Sequence, residues 1–162
     1  MAKKLLILGL GNPILSDDAV GIRIVEEMRV ALRDADINTK DVELTTGCFG
    51  GLHIIDAIRG YEKVVIIDAI YRGGEPGTLY RLSIDELNGT ARLSSPHRIN
   101  LPAAISLGRK IENEGDIPED ITIYAVEAKN LTEFSENLSP EIEEKLANIV
   151  KEIIREIFDI AM

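Results

Sequence analysis

The sequence predicts an α/β fold with three layers, α/β/α, around a mostly parallel, twisted sheet of roughly five strands. Short apolar runs rich in branched residues alternate with segments whose apolar residues recur at helical spacing. The run at residues 64–67 is continuously apolar, which is typical of a strand covered on both faces. The chain has 162 residues and no repeat, linker or low-complexity segment, so we expect one domain over residues 1–162.

The first half of the chain predicts strands and helices in alternation, in order at residues 5–8, 17–33, 42–44, 52–58 and 64–67. The first strand is a buried apolar run, and Ser16, Asp17 or Asp18 could cap the helix that follows it. Apolar alternation marks the second strand, and glycines mark the turn before the short second helix. The third strand is a β-branched run that we expect to end at Asp68.

The second half predicts four further elements, in order at residues 78–82, 99–111, 121–126 and 140–158. Apolar and polar residues alternate in the first of these, as is typical of an edge strand. The next helix has Pro102 in its first turn, where a missing N–H group does least harm. The last helix follows a start signal at Ser139 and Pro140, and its apolar stripe is interpreted as core.

Composition excludes several classes of function. The chain has 18 Lys and Arg against 28 Asp and Glu, and the resulting charge of −10 repels phosphate backbones, so we expect no nucleic-acid partner. Apolar runs fall short of the roughly 20 residues that span a bilayer, so we expect no membrane insertion. The single cysteine, Cys48, excludes an intramolecular disulfide and a CxxC metal site, and it favours a reducing cytosol.

Acidic residues follow two of the predicted strands. Asp17 and Asp18 lie in the loop after the first strand, and Asp68 lies at the end of the third. Ligands of open parallel sheets bind beyond the carboxyl ends of the strands, where the strand order reverses. These carboxylates therefore converge if the first strand is flanked by its neighbours. Each carboxylate also has a purely structural interpretation. Asp17 or Asp18 could cap a helix, and Asp68 could simply end its strand.

The chain contains two histidines, and either could complete such a site. His97 follows Pro96 in a polar loop, and we prefer it as the ligand or acid/base group. The alternative is that His97 is an ordinary loop residue without a role in a site. His53 lies three residues before Asp56 on a predicted helix, so this pair could also face one metal ion. Spacing alone therefore supports a site of two carboxylates and one histidine as a hypothesis.

The glycine turn after the first strand matches a dinucleotide-binding turn only weakly. Ile14 stands at the third glycine position, and Thr45 and Thr46 end the second strand where a ribose-binding acid is expected. We interpret Gly9 and Gly11 as residues that allow a tight turn, which brings the acidic pair back over the sheet edge.

Residues 9–21, GLGNPILSDDAVG, resemble the GxGNxLxxDDxxG signature of the hydrogenase maturation endopeptidases. Asp68 and His97 also match later motifs of that family in order and approximate spacing, and the likeness covers nearly the whole chain. The sequence departs at residues 46–51, TGCFGG, where family members often carry an acidic residue and a DGGT-like turn. This departure from the family pattern affects the predicted substrate-facing loop more than the predicted site residues.

The resemblance implies a cytoplasmic peptidase that removes a C-terminal extension from the large-subunit precursor of a [NiFe] hydrogenase after nickel insertion. It implies that Asp18, Asp68 and His97 are the catalytic and metal-contacting residues, with Asp18 where the family often has Glu. Nickel would arrive with the precursor, and another divalent metal such as zinc could replace it in vitro. The metal would polarise the scissile carbonyl or lower the pKa of a bound water, while Asp18 or Asp68 assists proton transfer.

Two other functions are open at this point. A non-catalytic nickel-binding or docking module for hydrogenase assembly would use the same residues. The opening GLGNP also resembles peptidyl-tRNA hydrolase, but no histidine follows within the next ten residues and the negative charge opposes a tRNA substrate. We interpret Cys48 as a small buried or loop residue and not as a nucleophile.

Overall fold

The computed structural model of the chain describes residues 4–48, 50, 53–87, 101–113 and 115–162. The strands in these ranges are β1 Leu5–Leu10, β2 Val42–Gly47, β3 Lys63–Ile70, β4 Leu79–Ser83 and β5 Asp120–Glu127. The α-helices are α1 Val20–Asp34, α2 His53–Ile58, α3 Leu101–Ile111 and α4 Pro140–Phe158. Short 3-10 turns are formed at Ser16–Ala19 and Asp85–Leu87.

The five strands form one sheet in the order β2-β1-β3-β5-β4. The strand β4 is antiparallel to β5 and lies at the edge, as its alternating pattern predicts, and the other pairs are parallel. The chain moves from β1 outward to β2 and then returns to β3 on the other side of β1. The strand order therefore reverses between β1 and β3, which is where open α/β sheets bind ligands.

Helices cover both faces of this sheet and bury an apolar core on each. One core contains buried residues of α1 and α4, among them Ile24 and Ile153. The other contains Ile55 of α2 and Ile105 of α3. Full burial of such a side chain contributes about 1.5–3 kcal/mol. The predicted three-layer α/β/α fold is confirmed, and the stripe of the last helix is core. In the described ranges, no helix has the length and apolarity needed to cross a membrane.

Three glycines allow the start of α1 to lie directly on the sheet. A Cβ atom built on Gly9 would lie less than 3.0 Å from the Gly21 carbonyl oxygen, and one on Gly11 would approach the Asp18 carbonyl oxygen as closely. A Cβ on Gly21 would meet the carbonyl oxygen of Ile67 in the same way. Side chains do not fit at these distances, so glycine is what lets the turn fold back over the sheet edge.

The first helix begins later than predicted. The sequence pattern places its start near residue 17, but residues 16–19 form a 3-10 turn and α1 starts at Val20, with Ala19 as its N-cap. Within the described part of the chain, no side chain caps this helix. The prediction that Ser16, Asp17 or Asp18 caps it was wrong, because all three side chains make their hydrogen bonds elsewhere.

The third strand continues beyond its predicted end. Asp68 is paired with Ala125, and the pairing of β3 with β5 reaches Ile70 and Glu127. Asp68 is therefore an interior residue of β3, because the neighbouring strand β5 extends far enough to hold it. The predicted start of the third helix, at residues 99–100, lies outside the described residues.

Candidate functional site

The candidate site lies at the carboxyl edge of the sheet, between β1 and β3. The pairing of these two strands ends at Gly9 and Ile67, so β3 continues beyond the paired part of β1 from Asp68 onward. The 3-10 turn that carries Asp18 packs at the same point, because Gly21 lies against the backbone of Ile67. Asp18 and Asp68 thus lie at one edge of the sheet, although they come from separate parts of the chain.

The Asp18 carboxylate is buried, with 1% of the residue exposed. Its Oδ2 atom accepts the backbone N–H of Asn12 at 2.9 Å. Its Oδ1 atom is also buried and has no hydrogen-bond partner among the described residues. A buried carboxylate oxygen without a donor costs free energy. This position therefore favours an approaching cation or proton donor.

Asp68 is fully buried on the sheet face that α2 and α3 cover. Its neighbours at alternate positions on β3, Ile66 and Ile70, belong to the core on that face, and side chains two residues apart in a strand point the same way. The Asp68 Oδ1 atom accepts the backbone N–H of Ala69 at 2.8 Å. The strand itself thus holds the carboxylate in orientation.

Asp17 is fully buried as well, but its carboxylate is saturated with donors. The Oδ2 atom accepts the backbone N–H groups of Lys129 at 3.0 Å and Asn130 at 2.8 Å, and the Ser139 hydroxyl at 2.7 Å. The Oδ1 atom accepts the backbone N–H of Ser139 at 2.7 Å. Asp17 therefore ties the segment after β5 and the start of α4 to the 3-10 turn, and it is a structural carboxylate.

The structure describes one of the two histidines, His53. His97 lies outside the described residues, so its placement beside Asp18 and Asp68 stays a prediction. His53 is exposed at the start of α2, and the carboxylate of Asp56 pairs with Arg59 at 3.0 Å. Across the described ranges, which omit residues 88–100, no group of three or more His, Cys, Asp and Glu could hold a metal ion.

Asp18 and Asp68 could supply two of the ligands of a divalent metal ion. A borderline metal such as nickel or zinc accepts carboxylate oxygen and imidazole nitrogen. The unpartnered Oδ1 of Asp18 is an oxygen that such an ion could contact. Asp68 would be a second donor at the same edge, and His97 the predicted third.

Sequence reasoning missed Glu127, which is fully buried at the end of β5. Its Oε2 accepts the backbone N–H of Arg72 at 2.8 Å, and its Oε1 accepts the Tyr80 hydroxyl at 3.0 Å. Burial and this carboxylate raise the pKa of Tyr80, and the Arg72 guanidinium lies 5.0 Å from the centre of the Tyr80 ring. Glu127 thereby holds the segment between β3 and β4 at the carboxyl edge. A glutamate that ends a β-branched run was the available signal.

A cavity of about 390 Å³ lies between β2 and α2, on the face of the sheet to which Asp68 belongs. Glu43, His53 and Tyr61 are among its lining residues. The Tyr61 hydroxyl donates a hydrogen bond to Glu43. Burial, followed by this hydrogen bond, raises the pKa of Tyr61 to about 12. Cys48, which follows β2 directly, is exposed with a free thiol.

Known proteins resemble this chain over most of its length. A family model described as hydrogenase maturation protease, HycI, matches residues 22–156. The hydrogenase expression/formation protein HupD of Thiocapsa roseopersicina is 28% identical over 150 residues, which cover 91% of this chain and 65% of HupD. This chain thus spans less than two thirds of HupD. The hydrogenase 2 maturation protease of Escherichia coli K12 is 28% identical over 153 residues, 93% of this chain and 88% of that protein.

Solved structures share the fold. The hydrogenase maturating endopeptidase HybD from Escherichia coli superposes with a TM-score of 0.76 at 25% identity, over 96% of this chain and 93% of HybD. The [NiFe] hydrogenase maturation protease HycI from Thermococcus kodakarensis KOD1 gives a TM-score of 0.69 at 24% identity, over 98% of this chain and 94% of that HycI chain. The likeness to this HycI structure concerns the fold alone.

Proposed function

The chain belongs to the hydrogenase maturation protease family, and on that premise we propose that it is an endopeptidase that removes the C-terminal extension of a [NiFe] hydrogenase large-subunit precursor. The observation that carries the proposal is the unpartnered, buried Oδ1 of Asp18 at the carboxyl edge where Asp68 also lies. The neighbouring Asp17, which stabilises the fold, accepts hydrogen bonds on both of its carboxylate oxygens.

Nickel enters this proposal as part of the substrate. The precursor carries it, and nickel bound there supplies a Lewis acid beside the scissile peptide bond. Asp18, Asp68 and His97 are the residues that would contact the nickel-bearing segment and hold it at the sheet edge. Zinc or another divalent ion would be accepted in vitro, because the donor types suit borderline metals in general.

The carboxylates would also move a proton. In hydrolysis, the oxygen of water bonds to the carbonyl carbon, the C–N bond breaks, and the leaving amine takes up a proton. Where Asp68 and His97 hold the nickel-bearing segment and leave Asp18 Oδ1 uncoordinated, that oxygen can accept the proton of the attacking water, since no donor from the described residues occupies it. Asp68, whose Oδ1 accepts the Ala69 N–H group, would keep its orientation while the substrate binds.

The cytosol is the proposed compartment for this reaction. Cys48 is the single cysteine of the chain, its thiol is exposed, and the fold uses no disulfide. An exposed free thiol persists best in a reducing compartment.

The test is to incubate the protein with nickel-loaded and nickel-free precursor and to weigh the products by mass spectrometry. We expect loss of one defined C-terminal peptide from the nickel-loaded precursor alone. Asp18→Ala, Asp68→Ala and His97→Ala, each checked for folding by circular dichroism, should abolish that loss. Cys48→Ser is the matched control and should cleave normally.

Three results would change the proposal. Precursor that binds but stays intact would favour a nickel-docking module over a peptidase. Loss of activity in folded Cys48→Ser would indicate covalent catalysis. Cleavage that survives all three alanine variants would place the catalytic residues elsewhere.

A further inference from the structure

Two large apolar side chains are exposed side by side near the candidate site. Phe134 is 81% exposed and Ile14 is 47% exposed. Leu15 and Ser135 form a parallel β-bridge, and the Ser135 N–H donates to the Ile14 carbonyl at 2.9 Å. The register of this bridge makes Ile14 and Phe134 neighbours on adjacent segments. We call these two residues the Ile14/Phe134 patch.

The loop that carries Phe134 is held by its own hydrogen bonds. Asn130 Oδ1 accepts the backbone N–H groups of Thr132 at 3.1 Å and Glu133 at 3.0 Å. Asn130 Nδ2 donates to Glu133 at 2.7 Å, and the backbone N–H of Asn130 donates to Asp17. These hydrogen bonds fix the backbone of the loop, which carries Phe134 with its ring exposed to water. An exposed aromatic side chain on a loop with a fixed backbone is typical of an interaction surface.

The patch is anchored to the acidic pair from both sides. The backbone N–H of Asn12 donates to Asp18, and Asn12 Oδ1 accepts the backbone N–H of Ile14 at 3.2 Å. On the other segment, Asp17 accepts the N–H of Asn130 at the base of the Phe134 loop. Whatever covers the patch therefore comes close to Asp18.

We propose that the Ile14/Phe134 patch is the docking surface for the body of the precursor protein, and this inference rests on the proposed function. The precursor would place an apolar side chain on the Ile14/Phe134 patch, and Lys or Arg residues of the precursor would surround that side chain. Glu133 and Glu136 flank Phe134, both are exposed, and the chain carries a net charge of −10. A second copy of this chain would set like charges against each other, whereas a partner with a basic rim is attracted.

The test compares Phe134→Ala and Ile14→Ala with the matched control Ile111→Ala. Ile111 is 63% exposed at the end of α3, next to Glu112, which pairs with Arg59 before β3, so it lies at the opposite edge of the sheet. For each variant, binding of nickel-loaded precursor is measured by calorimetry and cleavage by product mass. Thermal unfolding checks that each variant folds.

We expect Phe134→Ala to raise both Kd and KM about tenfold, Ile14→Ala to raise them by a smaller factor, and both to leave kcat unchanged, because buried aromatic anchors dominate interface affinity. Ile111→Ala should change none of these values.

Unchanged Kd in Phe134→Ala would overturn the inference, and so would a wild-type dimer that Phe134→Ala dissociates. Precursor that binds without being cleaved would count against the proposed function, while the ratio of Kd values would still decide the role of the patch. A wild-type protein that neither binds nor cleaves the precursor would overturn both.

Discussion

Asp17 and Asp18 are consecutive buried carboxylates with different hydrogen-bonding environments. Asp17 accepts four hydrogen bonds, from Lys129, Asn130 and twice from Ser139. Asp18 accepts one, and its Oδ1 has no donor in the described part of the chain. A charge compensated by four donors stabilises the fold, whereas a charge left open is available for chemistry.

Asparagine substitutions should separate these two roles. Asp17→Asn puts an NH₂ group among N–H and O–H donors, so we expect the free energy of unfolding to fall by about 2–4 kcal/mol. Asp18→Asn keeps an oxygen for the Asn12 N–H and removes an uncompensated charge, so the loss should be less than about 1 kcal/mol. Urea unfolding of both variants measures the difference. Equal losses would contradict the division of roles.

The family resemblance singled out Asp18 from this acidic pair, but the sequence did not reveal which groups bind Asp17. The donors to Asp17 lie 112 to 122 residues away along the chain. A local motif carries no information about contacts of that range. The same limit explains why Glu127 was missed, because its partners Arg72 and Tyr80 come from the segment between β3 and β4 and from β4 itself.

At the scale of elements, α1 packs directly against the sheet through Gly21. Gly21→Ala would place a Cβ atom less than 3.0 Å from backbone carbonyl oxygens of Leu10 and Ile67, which cannot move aside as a flexible side chain can. Alanine is the better helix former by about 1 kcal/mol. The clash outweighs this gain, and we expect a net loss of about 2 kcal/mol in the free energy of unfolding.

Gly50→Ala is the matched control for this prediction. A Cβ atom on Gly50 would find no described atom within 4 Å, so the change should shift stability by less than about 0.5 kcal/mol. Both variants are compared by chemical denaturation. A Gly21→Ala protein as stable as Gly50→Ala would show that α1 can move away from the sheet at no cost.

The elements themselves were predictable from periodicity, whereas several of their boundaries, among them the end of β3 and the start of α1, were not. The strands and helices followed from apolar runs and helical spacing, because burial on both faces of a sheet imposes those patterns. The continuation of β3 to Ile70 depends on β5, which pairs with it as far as Glu127. The 3-10 turn at Ser16–Ala19 depends on bonds to the segment before α4, including Ser16 N–H to the Ser135 carbonyl at 2.9 Å.

At the scale of the whole molecule, alkaline stability should depend on Tyr61. Its pKa is raised to about 12 by burial and by the bond to Glu43, while an unfolded tyrosine titrates near about 10. The folded state therefore keeps this proton to higher pH than the unfolded state does. The resulting stabilisation is complete below about pH 10 and is lost as the pH rises to about 12.

Tyr61→Phe removes this contribution, and unfolding temperatures between pH 8 and 12 measure it. We expect the wild-type protein to lose thermal stability more steeply with rising pH than Tyr61→Phe does. Some alkaline loss should persist in the variant, because burial also raises the pKa of Tyr80 and Tyr124. Parallel curves for the two proteins would show that the pKa of Tyr61 is not raised in the folded state.

The four hydrogen bonds of Asp17 also constrain how the chain folds during its synthesis on the ribosome. The acidic turn is translated early, while the groups that neutralise its carboxylate belong to Lys129, Asn130 and Ser139. Until those residues leave the exit tunnel, Asp17 stays hydrated, because burial of a bare charge costs several kcal/mol. The nascent chain therefore cannot close the turn that carries Asp18 before those residues are available. The buried geometry of Asp18 is reached only once the segment that leads into α4 has been made.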